Sequence, residues 1–287
     1  MALQAGTVAE LRVEREAPFG YFLTNGTEEV LLHHREITEG FDPEGMQTVF
    51  LYQDHQGRLA ATMTIPEIQL GTYGWAEVAG AERKLGVFVS IGISKDILIS
   101  VDDLPALLSL WPEKGDHLYI TLELDKHGRL FGKLAPENIV KSIAKKAARD
   151  LLNQDVLGYA YRLLKAGTFM FTDGGYIGYI HESQRKKEPR LGQRVEGRVI
   201  DVKENGTIYV SLLPRAYEEI GRDAEQILAY MDSRGGKMPY WDKSTPEEIE
   251  ARFNISKAAF KRALGRLIKN GEIYQEAGWT YRKNGED

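Results

Sequence analysis

A unit of about 65 residues occurs three times along the chain, and this repeat limits the fold more than any other feature. In each unit a glycine opens an apolar strand, and a polar residue 13 or 14 positions later closes the next one. The three pairs are Gly20 and His33, Gly86 and Ser100, and Gly167 and His181. A long strand, a tight turn ("HQG", "KHG" or "ENG") and a final strand follow. Five short strands per unit predict a small closed barrel of the oligonucleotide-binding (OB) type, with a sandwich as the alternative.

Two segments depart from the β pattern. Residues 135–152 predict an amphipathic connecting helix, because Ile139, Ile143, Ala147 and Leu151 recur every four residues. Residues 222–287 follow the order helix, short strand, helix, helix and hairpin, which is typical of a winged helix. We therefore expect a multidomain, mainly β protein with barrels at 1–66, 67–134 and 153–221 and a C-terminal winged-helix (α+β) domain.

Local signals within the winged-helix segment are specific. Thr245 is the expected N-cap of one helix, with Pro246 in its first position and Glu248 closing a capping box. The next helix, in "NISKAAFKRALGRLIKNG", is expected to bury one apolar face. That face comprises Phe260, Leu264, Leu267 and Ile268.

Composition excludes several classes of protein. The 287 residues include no cysteine, which excludes disulfides, thiol catalysis and thiolate-held metals. We see neither a membrane-length apolar run nor a signal-peptide pattern, and we expect a cytoplasmic protein without a membrane partner. Phosphate loops, nucleophile elbows and paired histidine ligands are absent from the sequence, so we expect no enzyme activity, no metal and no cofactor.

Charge is distributed unevenly along the chain. The formal net charge of −5 divides into −6 for residues 1–66, −3 for 67–134, +3 for 135–221 and +1 for 222–287. A polyanion is therefore tolerated best by the C-terminal half of the chain.

One phenylalanine in each unit lies on an unexpected strand face. In "PFGYFLTNG", alternation puts Phe19, Tyr21 and Leu23 on one face, and Phe22 on the other with Gly20 and Thr24. Phe88 and Phe169 repeat the arrangement of Phe22. An aromatic ring on the small, polar face is suited to stacking an unpaired base, and the neighbouring glycine would let the base approach closely.

The residues of the first unit, "FGYF", "LLHHRE" and "YQDHQGRL", resemble the S-one type RNA-binding domain. The pattern of that domain is Phe-Gly-x-Phe, then a strand ending in His, then Asp-x-x-x-Arg. Three such barrels followed by a winged helix resemble the conserved virulence factor B family of bacterial RNA-binding regulators, over essentially the whole chain. The resemblance implies binding of single-stranded RNA and regulation of gene expression, including virulence genes in a pathogen.

The same resemblance assigns RNA-contacting positions in each barrel. In the first barrel the set is complete and comprises Phe19, Phe22, His33, Asp54 and Arg58. In the second barrel it falls on Leu85, Phe88, Ser100, Asp125 and Arg129, so one aromatic ring and the histidine are missing. In the third barrel it falls on Ala166, Phe169, His181 and Asp201, without an arginine at the expected place.

The third barrel and the winged helix carry further candidates. In the third barrel they are aromatic rings and a basic loop, comprising Phe171, Tyr176, Tyr179, Arg185, Lys186, Lys187, Arg190 and Arg194. In the winged helix they form one basic helix face, comprising Lys257, Lys261, Arg262, Arg266 and Lys269.

Three functions fit this sequence. The favoured one is a non-enzymatic, post-transcriptional RNA-binding regulator in which the third barrel and the winged helix form one basic surface for single-stranded RNA. The second is a transcription regulator that binds duplex DNA, with Arg262 and Arg266 in reach of guanine. The third is a scaffold whose acidic N-terminal barrels bind a ribosomal or other basic protein.

Overall fold

The computed structural model describes residues 2–283, which divide into two compact units at the boundary between Leu212 and Leu213. The first unit contains three closed five-stranded barrels and the second a three-stranded sheet with helices. The predicted fold class is thus confirmed. Within the described residues, no helix has the length and apolar character needed to cross a membrane.

The three barrels share one topology. Around each barrel the strands follow the order first, second, third, fifth and fourth, and the third and fifth strands pair in parallel. The first barrel comprises β1 (Val8–Ala17), β2 (Gly20–Thr24), β3 (Glu29–His33), β4 (Met46–Gln53) and β5 (Leu59–Thr62). The second comprises β6 (Gly74–Glu82), β7 (Gly86–Ser90), β8 (Ile97–Ser100), β9 (His117–Leu124) and β10 (Leu130–Leu134). The third comprises β11 (Asp155–Leu164), β12 (Gly167–Thr172), β13 (Ile177–His181), β14 (Arg194–Val202) and β15 (Ile208–Ser211).

Each barrel has a β-bulge at the same place in its first strand. The register between the first and second strands shifts just before the residue that pairs with the outward-facing phenylalanine. The pairs after the shift are Arg15 with Phe22, Gly80 with Phe88 and Arg162 with Phe169. The bulge therefore determines which side chain lies beside each phenylalanine.

The glycine that opens each second strand serves the packing of the barrel. A Cβ atom would lie 2.2 Å from the Leu32 carbonyl oxygen at Gly20 and 1.9 Å from that of Ile99 at Gly86. The prediction that this glycine admits a base is wrong, because its open side is filled by the backbone of the third strand.

The predicted connecting helix 135–152 is largely wrong. The helix α1 spans only Glu137–Ile143, with Val140 buried and Ile143 exposed. The chain then runs extended along the third barrel, where the Lys145 N–H donates to the Gly175 carbonyl at 2.8 Å. Further on, the Ala147 N–H donates to the Gly206 carbonyl at 3.2 Å. These bonds to the barrel replace the helical ones, and Ala147 packs against the barrel core.

The second unit has the predicted order of elements. They are α2 (Ala216–Asp232), β16 (Lys237–Met238), α3 (Pro246–Phe253), α4 (Lys257–Lys269), β17 (Ile273–Glu276) and β18 (Trp279–Arg282), with sheet order β16-β18-β17. Thr245 caps α3 as predicted, since its hydroxyl accepts from the Glu248 N–H while the Glu248 carboxylate accepts from the Thr245 N–H. The buried face of α4 includes Phe260, Leu264 and Leu267, but Ile268 is 45% exposed and was wrongly placed there.

The predicted start of the winged-helix domain at residue 222 falls inside α2. Gly221, the residue before the predicted boundary, lies within the helix. A Cβ atom at Gly221 would lie 3.2 Å from the Arg266 guanidinium, so this glycine makes room for α4.

Candidate nucleic-acid interface

The three outward-facing phenylalanines are half-buried on equivalent strands, but their neighbours differ. In the first barrel the Arg15 guanidinium lies 3.6 Å from the centre of the Phe22 ring. Phe19, 46% exposed, packs edge-on to Phe22 at 6.3 Å. Since β2 begins only at Gly20, Phe19 does not share the core face of Tyr21 and Leu23, and that expectation was wrong. The stacking surface of Phe22 is thus occupied by the barrel's own side chains.

The polar residue that ends each third strand caps a short 3₁₀ turn. Nδ1 of His33 accepts from the Arg35 N–H at 3.1 Å, and Nδ1 of His181 accepts from the Ser183 N–H at 3.2 Å. The Ser100 hydroxyl accepts from the Asp102 N–H at 3.3 Å in the same way. Because Nδ1 accepts, a neutral histidine here carries its proton on Nε2, which is left to donate.

The aspartate and arginine of the family pattern form a closed turn in the first two barrels. Arg58 donates to Asp54 from Nε at 2.9 Å and from Nη2 at 2.7 Å. Burial raises the pKa of Asp54, but hydrogen bonds from Arg58 and from nearby backbone N–H groups lower it below the usual range. In the second barrel the backbone N–H of Arg129, with its guanidinium and the His127 N–H, lowers the pKa of Asp125 to about 2.

In the hairpin of the third barrel, a lysine stands where the first two barrels have the aspartate. This hairpin closes between the Lys203 N–H and the Thr207 carbonyl, as the other hairpins close between Asp54 and Arg58 and between Asp125 and Arg129. Lys203 therefore takes the aspartate position. Asp201, to which the pattern was carried over, lies two residues earlier beside a second bulge and pairs with Lys203 at 2.6 Å.

Five ring-bearing side chains form a connected group on the outside of the third barrel, here called the outer aromatic cluster. Its members are Tyr161, Phe169, Tyr179, His181 and Tyr209. Neighbouring ring centres lie 5.0 to 6.4 Å apart, and Phe169 to Tyr179 is the shortest of these distances. Burial raises the pKa of Tyr161 to about 12, so this phenol stays neutral at physiological pH.

Two cations flank the outer aromatic cluster. Lys203 lies 4.5 Å from the Tyr209 ring centre, and the Arg162 guanidinium lies 5.9 Å from that of Phe169. Arg162 also pairs with Glu137 of α1. Rings beside cations are the arrangement that holds single-stranded nucleic acid by base stacking and phosphate attraction.

All five residues assigned in the second barrel line one cavity of about 790 Å³: Leu85, Phe88, Ser100, Asp125 and Arg129. Tyr52 and Gln53 of the first barrel form part of its wall. The Gln53 side chain accepts from the Leu130 N–H at 2.8 Å, and Lys95 donates to the Gln53 carbonyl at 2.7 Å. Two of the lining cations are neutralised locally, since Arg129 pairs with Asp125 and Lys133 with Asp103.

The basic loop of the third barrel has two arginines that pair with other side chains and two lysines that are exposed. The Arg185 side chain is only 7% exposed and bonds to Thr168 and Glu188. Arg190 makes two hydrogen bonds to Asp116 of the second barrel, both at 3.1 Å. Lys186 and Lys187 are exposed. Of the four basic loop residues, Arg185 and Arg190 are thus committed to ion pairs, and Lys186 and Lys187 remain the candidates for phosphate contact.

Three more predicted residues lie away from the outer aromatic cluster. The Phe171 ring centre lies 6.2 Å from that of Trp75 in the second barrel. Tyr176 packs against the core of the third barrel. Arg194 binds Asp173 at 2.5 Å and donates to the Tyr159 hydroxyl at 2.9 Å. Trp75, Tyr119 and Tyr159 join these two barrels through ring contacts at 5.1 Å.

In the winged helix, α4 begins at the N-cap Ser256 and presents an exposed basic face. Lys261, Arg262 and Lys269 are exposed, and Lys257 is half-buried. Arg266 is also exposed, but its Nη1 donates to the Tyr217 carbonyl of α2 at 3.0 Å. Arg266 thus joins two helices of its own unit, which leaves Arg262 as the better placed arginine.

Family models match most of the chain. They are an S1 domain at residues 5–64, the CvfB first S1-like domain at 73–133, the second domain of virulence regulatory factor CvfB at 140–214 and the CvfB-like winged helix domain at 225–281. The conserved virulence factor B of Staphylococcus epidermidis is 39% identical over 88% of this chain and 85% of its own length. The chain belongs to the conserved virulence factor B family.

Two further proteins match this chain over greater lengths. The Bacillus subtilis protein YitL is 50% identical over 98% of this chain and 95% of its own length. A crystal structure of a multidomain protein with nucleic acid binding domains from Streptococcus pneumoniae is 37% identical, with a TM-score of 0.69. That match covers 97% of this chain and 98% of the solved one.

Sequence reasoning missed two rings of the outer aromatic cluster and the two cations beside it: Tyr161, Tyr209, Arg162 and Lys203. Tyr209 was detectable, because alternation in "TIYVSL" puts it outward between Ile208 and Val210. Aligning the three hairpins on their glycines would likewise have put Lys203 at the position of Asp54 and Asp125. Tyr161 occupies the bulge, where simple alternation fails.

Proposed function

We propose that this protein binds single-stranded RNA, mainly through the outer aromatic cluster of the third barrel and through the basic face of α4, and regulates gene expression after transcription. S1-like and winged-helix domains are nucleic-acid-binding domain types, and the family is one of virulence regulators. Its action is binding without catalysis, in the cytoplasm, and its targets include virulence genes where the host is a pathogen.

The observation that carries this proposal is the outer aromatic cluster between Lys203 and Arg162. Unpaired bases stack on half-exposed rings, and each stacked base contributes about 1–3 kcal/mol. The bases of a duplex are already stacked on one another, which favours a single strand. The 2′-hydroxyl of RNA can both donate and accept a hydrogen bond. It can therefore bond to Nε2 of His181 and to the Tyr209 hydroxyl.

Comparison of the three barrels supports the third as the main site. The face of Phe22 is covered by Arg15, and its barrel segment has a net charge of −6. The second barrel segment, residues 67–134, has a net charge of −3. In the third barrel a lysine replaces the aspartate at the hairpin, and residues 135–221 have a net charge of +3. Phosphate attraction dominates affinity for nucleic acid, so the third barrel should bind most strongly.

Duplex DNA is the alternative ligand for α4. Helices of this kind enter the major groove, where a paired Arg262 and Arg266 would contact guanine. The bond from Arg266 to Tyr217 weakens this reading, since breaking it would uncover a helix carbonyl.

The test is fluorescence anisotropy of one sequence as single-stranded RNA, single-stranded DNA and duplex DNA, at two salt concentrations. The intact protein is compared with a Phe169→Ala, Tyr209→Ala variant and with Phe22→Ala, the matched position in the first barrel. We expect single-stranded RNA to bind best, more weakly at high salt and in the double variant, and nearly unchanged with Phe22→Ala. Preference for the duplex with no effect of the double variant would overturn the proposal.

A further inference from the structure

The sheet of the winged-helix unit has an aromatic face directed away from its core. One side of the sheet buries Met238, Ile273 and Thr280. Alternation places five other side chains on the opposite side, here called the wing aromatic face: Lys237, Tyr274, Glu276, Trp279 and Tyr281. Tyr274 is 41% exposed and Trp279 is 39% exposed.

Strand register arranges three members of the wing aromatic face in a row. Lys237 pairs with Tyr281, and Tyr281 pairs with Tyr274. The two tyrosine rings are stacked, with centres 5.2 Å apart and planes inclined by 19°. Since β17 is an edge strand, no strand follows beyond Tyr274 in the described part of the chain. One ring face of Tyr274 therefore meets Tyr281, and the residue keeps 41% of its surface exposed at the edge of the sheet.

The fold of this unit does not use these rings. Its core is formed by residues of α2, α3 and α4 with Met238 and Ile273, and neither Tyr274 nor Trp279 belongs to it. Single exposed apolar residues are common on protein surfaces, but clustered ones mark interaction sites. A solvent-facing sheet that aligns two rings beside a cation is such a cluster.

We propose that the wing aromatic face stacks unpaired bases of the RNA, a role that rests on the proposed function and extends it to a site away from α4. Tyr274 and Trp279 supply the stacking surfaces. Lys237 has no ion pair within residues 2–283 and lies about 10 Å from Tyr274, two strand spacings away. A phosphate next to a stacked base is within reach of such a lysine.

Charge favours a nucleic acid over a basic protein on this surface. Lys237 and Lys283 are exposed at the sheet, and Lys243 lies 5.0 Å from the ring centre of nearby Trp241. Glu276 is the one carboxylate on the wing aromatic face as defined here. It opposes a polyanion and would attract a basic protein, so its replacement separates the two ligands.

The experiment measures binding of oligouridine to the full chain by fluorescence anisotropy. A probe of roughly 20 nucleotides exceeds the 4–16 nucleotides that one OB-fold occupies. The test variant is Tyr274→Ala, Trp279→Ala, with Tyr274→Phe to keep the ring. The control is Tyr217→Ala, because Tyr217 is 62% exposed on α2 of the same unit.

We expect the double variant to lose affinity about 5- to 150-fold, the range given by one stacked base. Tyr274→Phe and Tyr217→Ala should bind like the unmodified protein, and Glu276→Gln should bind more tightly. An unchanged double variant, or weaker binding by Glu276→Gln, overturns the role of this face and leaves the proposed function standing. Failure of the unmodified protein to bind oligouridine overturns both.

Discussion

Arg190 and Asp116 lie in different barrels and form a two-point ion pair, with Nε and Nη2 each 3.1 Å from a carboxylate oxygen. Asp116 also accepts from the Glu113 N–H at 2.8 Å, and its side chain is only 9% exposed. The residues are 74 positions apart in the sequence. This pair joins the second barrel to the third, as does the ring contact between Trp75 and Tyr159.

We expect Arg190→Ala to lower the free energy of unfolding by about 2 kcal/mol, because hydrogen bonds to a charged, mostly buried group contribute about 1.5–3 kcal/mol. The measurement is urea unfolding followed by circular dichroism. Arg194→Ala is the control, since Arg194 and Asp173 are about half exposed and such surface pairs contribute about 0–1 kcal/mol. Equal losses from both variants would show that the pair between barrels has no special role.

Replacing Lys203 should weaken RNA binding in a salt-dependent way. Lys203→Gln removes the cation beside Tyr209, and the slope of log affinity against log salt should fall in magnitude by about 0.7 for a single strand. Anisotropy titrations at several salt concentrations measure this slope. Lys126→Gln is the matched control, because Lys126 is exposed in the corresponding hairpin of the second barrel. A slope that is unchanged by Lys203→Gln would remove Lys203 from the interface.

Strands and caps could be predicted from sequence because their causes are local. Alternation defines a strand, and Thr245 caps α3 through Glu248, only three residues away. The end of α1 could not be found in this way, because the carbonyl groups that replace its helical bonds belong to Gly175 and Gly206, in two separate turns of the third barrel. The spacing of apolar residues is visible in the sequence. The hydrogen-bond partner of a backbone N–H is not, because it depends on which segments lie beside it in the folded barrel.

The contrast between local causes and distant partners also explains which site residues could be predicted from sequence. Arg185 and Lys186 are neighbours with equal charge, yet one is buried against Thr168 and Glu188 and the other is exposed. The hydroxyl that Arg185 contacts belongs to Thr168, 17 residues away, and the ionic partner of Arg190 is Asp116, 74 residues away, so neither contact can be found from the local sequence. The repeated phenylalanines were found because their position recurs in every unit.

The acid response of the second barrel should depend on Asp125. Its pKa is about 2 in the folded protein against an ordinary 3.8, so the stability it contributes is present above about pH 4 and is lost as the pH falls toward 2. Carboxyl NMR titration measures this pKa directly. In Arg129→Gln the pKa should rise but stay below 3.8, because the backbone N–H of residue 129, the largest cause, remains. A return to 3.8 would show that the guanidinium alone causes the shift.

Two glycines should respond oppositely to alanine. At Gly86, with φ of +137°, a Cβ atom would lie 1.9 Å from the Ile99 carbonyl oxygen. Gly86→Ala should therefore destabilise the second barrel by about 3 kcal/mol or more. At Gly265, in the middle of α4, an added Cβ atom meets nothing within 4 Å, so Gly265→Ala should stabilise its unit by about 0.5–1 kcal/mol. Thermal unfolding of each variant beside the unmodified protein measures both changes, and tolerance of Gly86→Ala would contradict the close approach of the third strand.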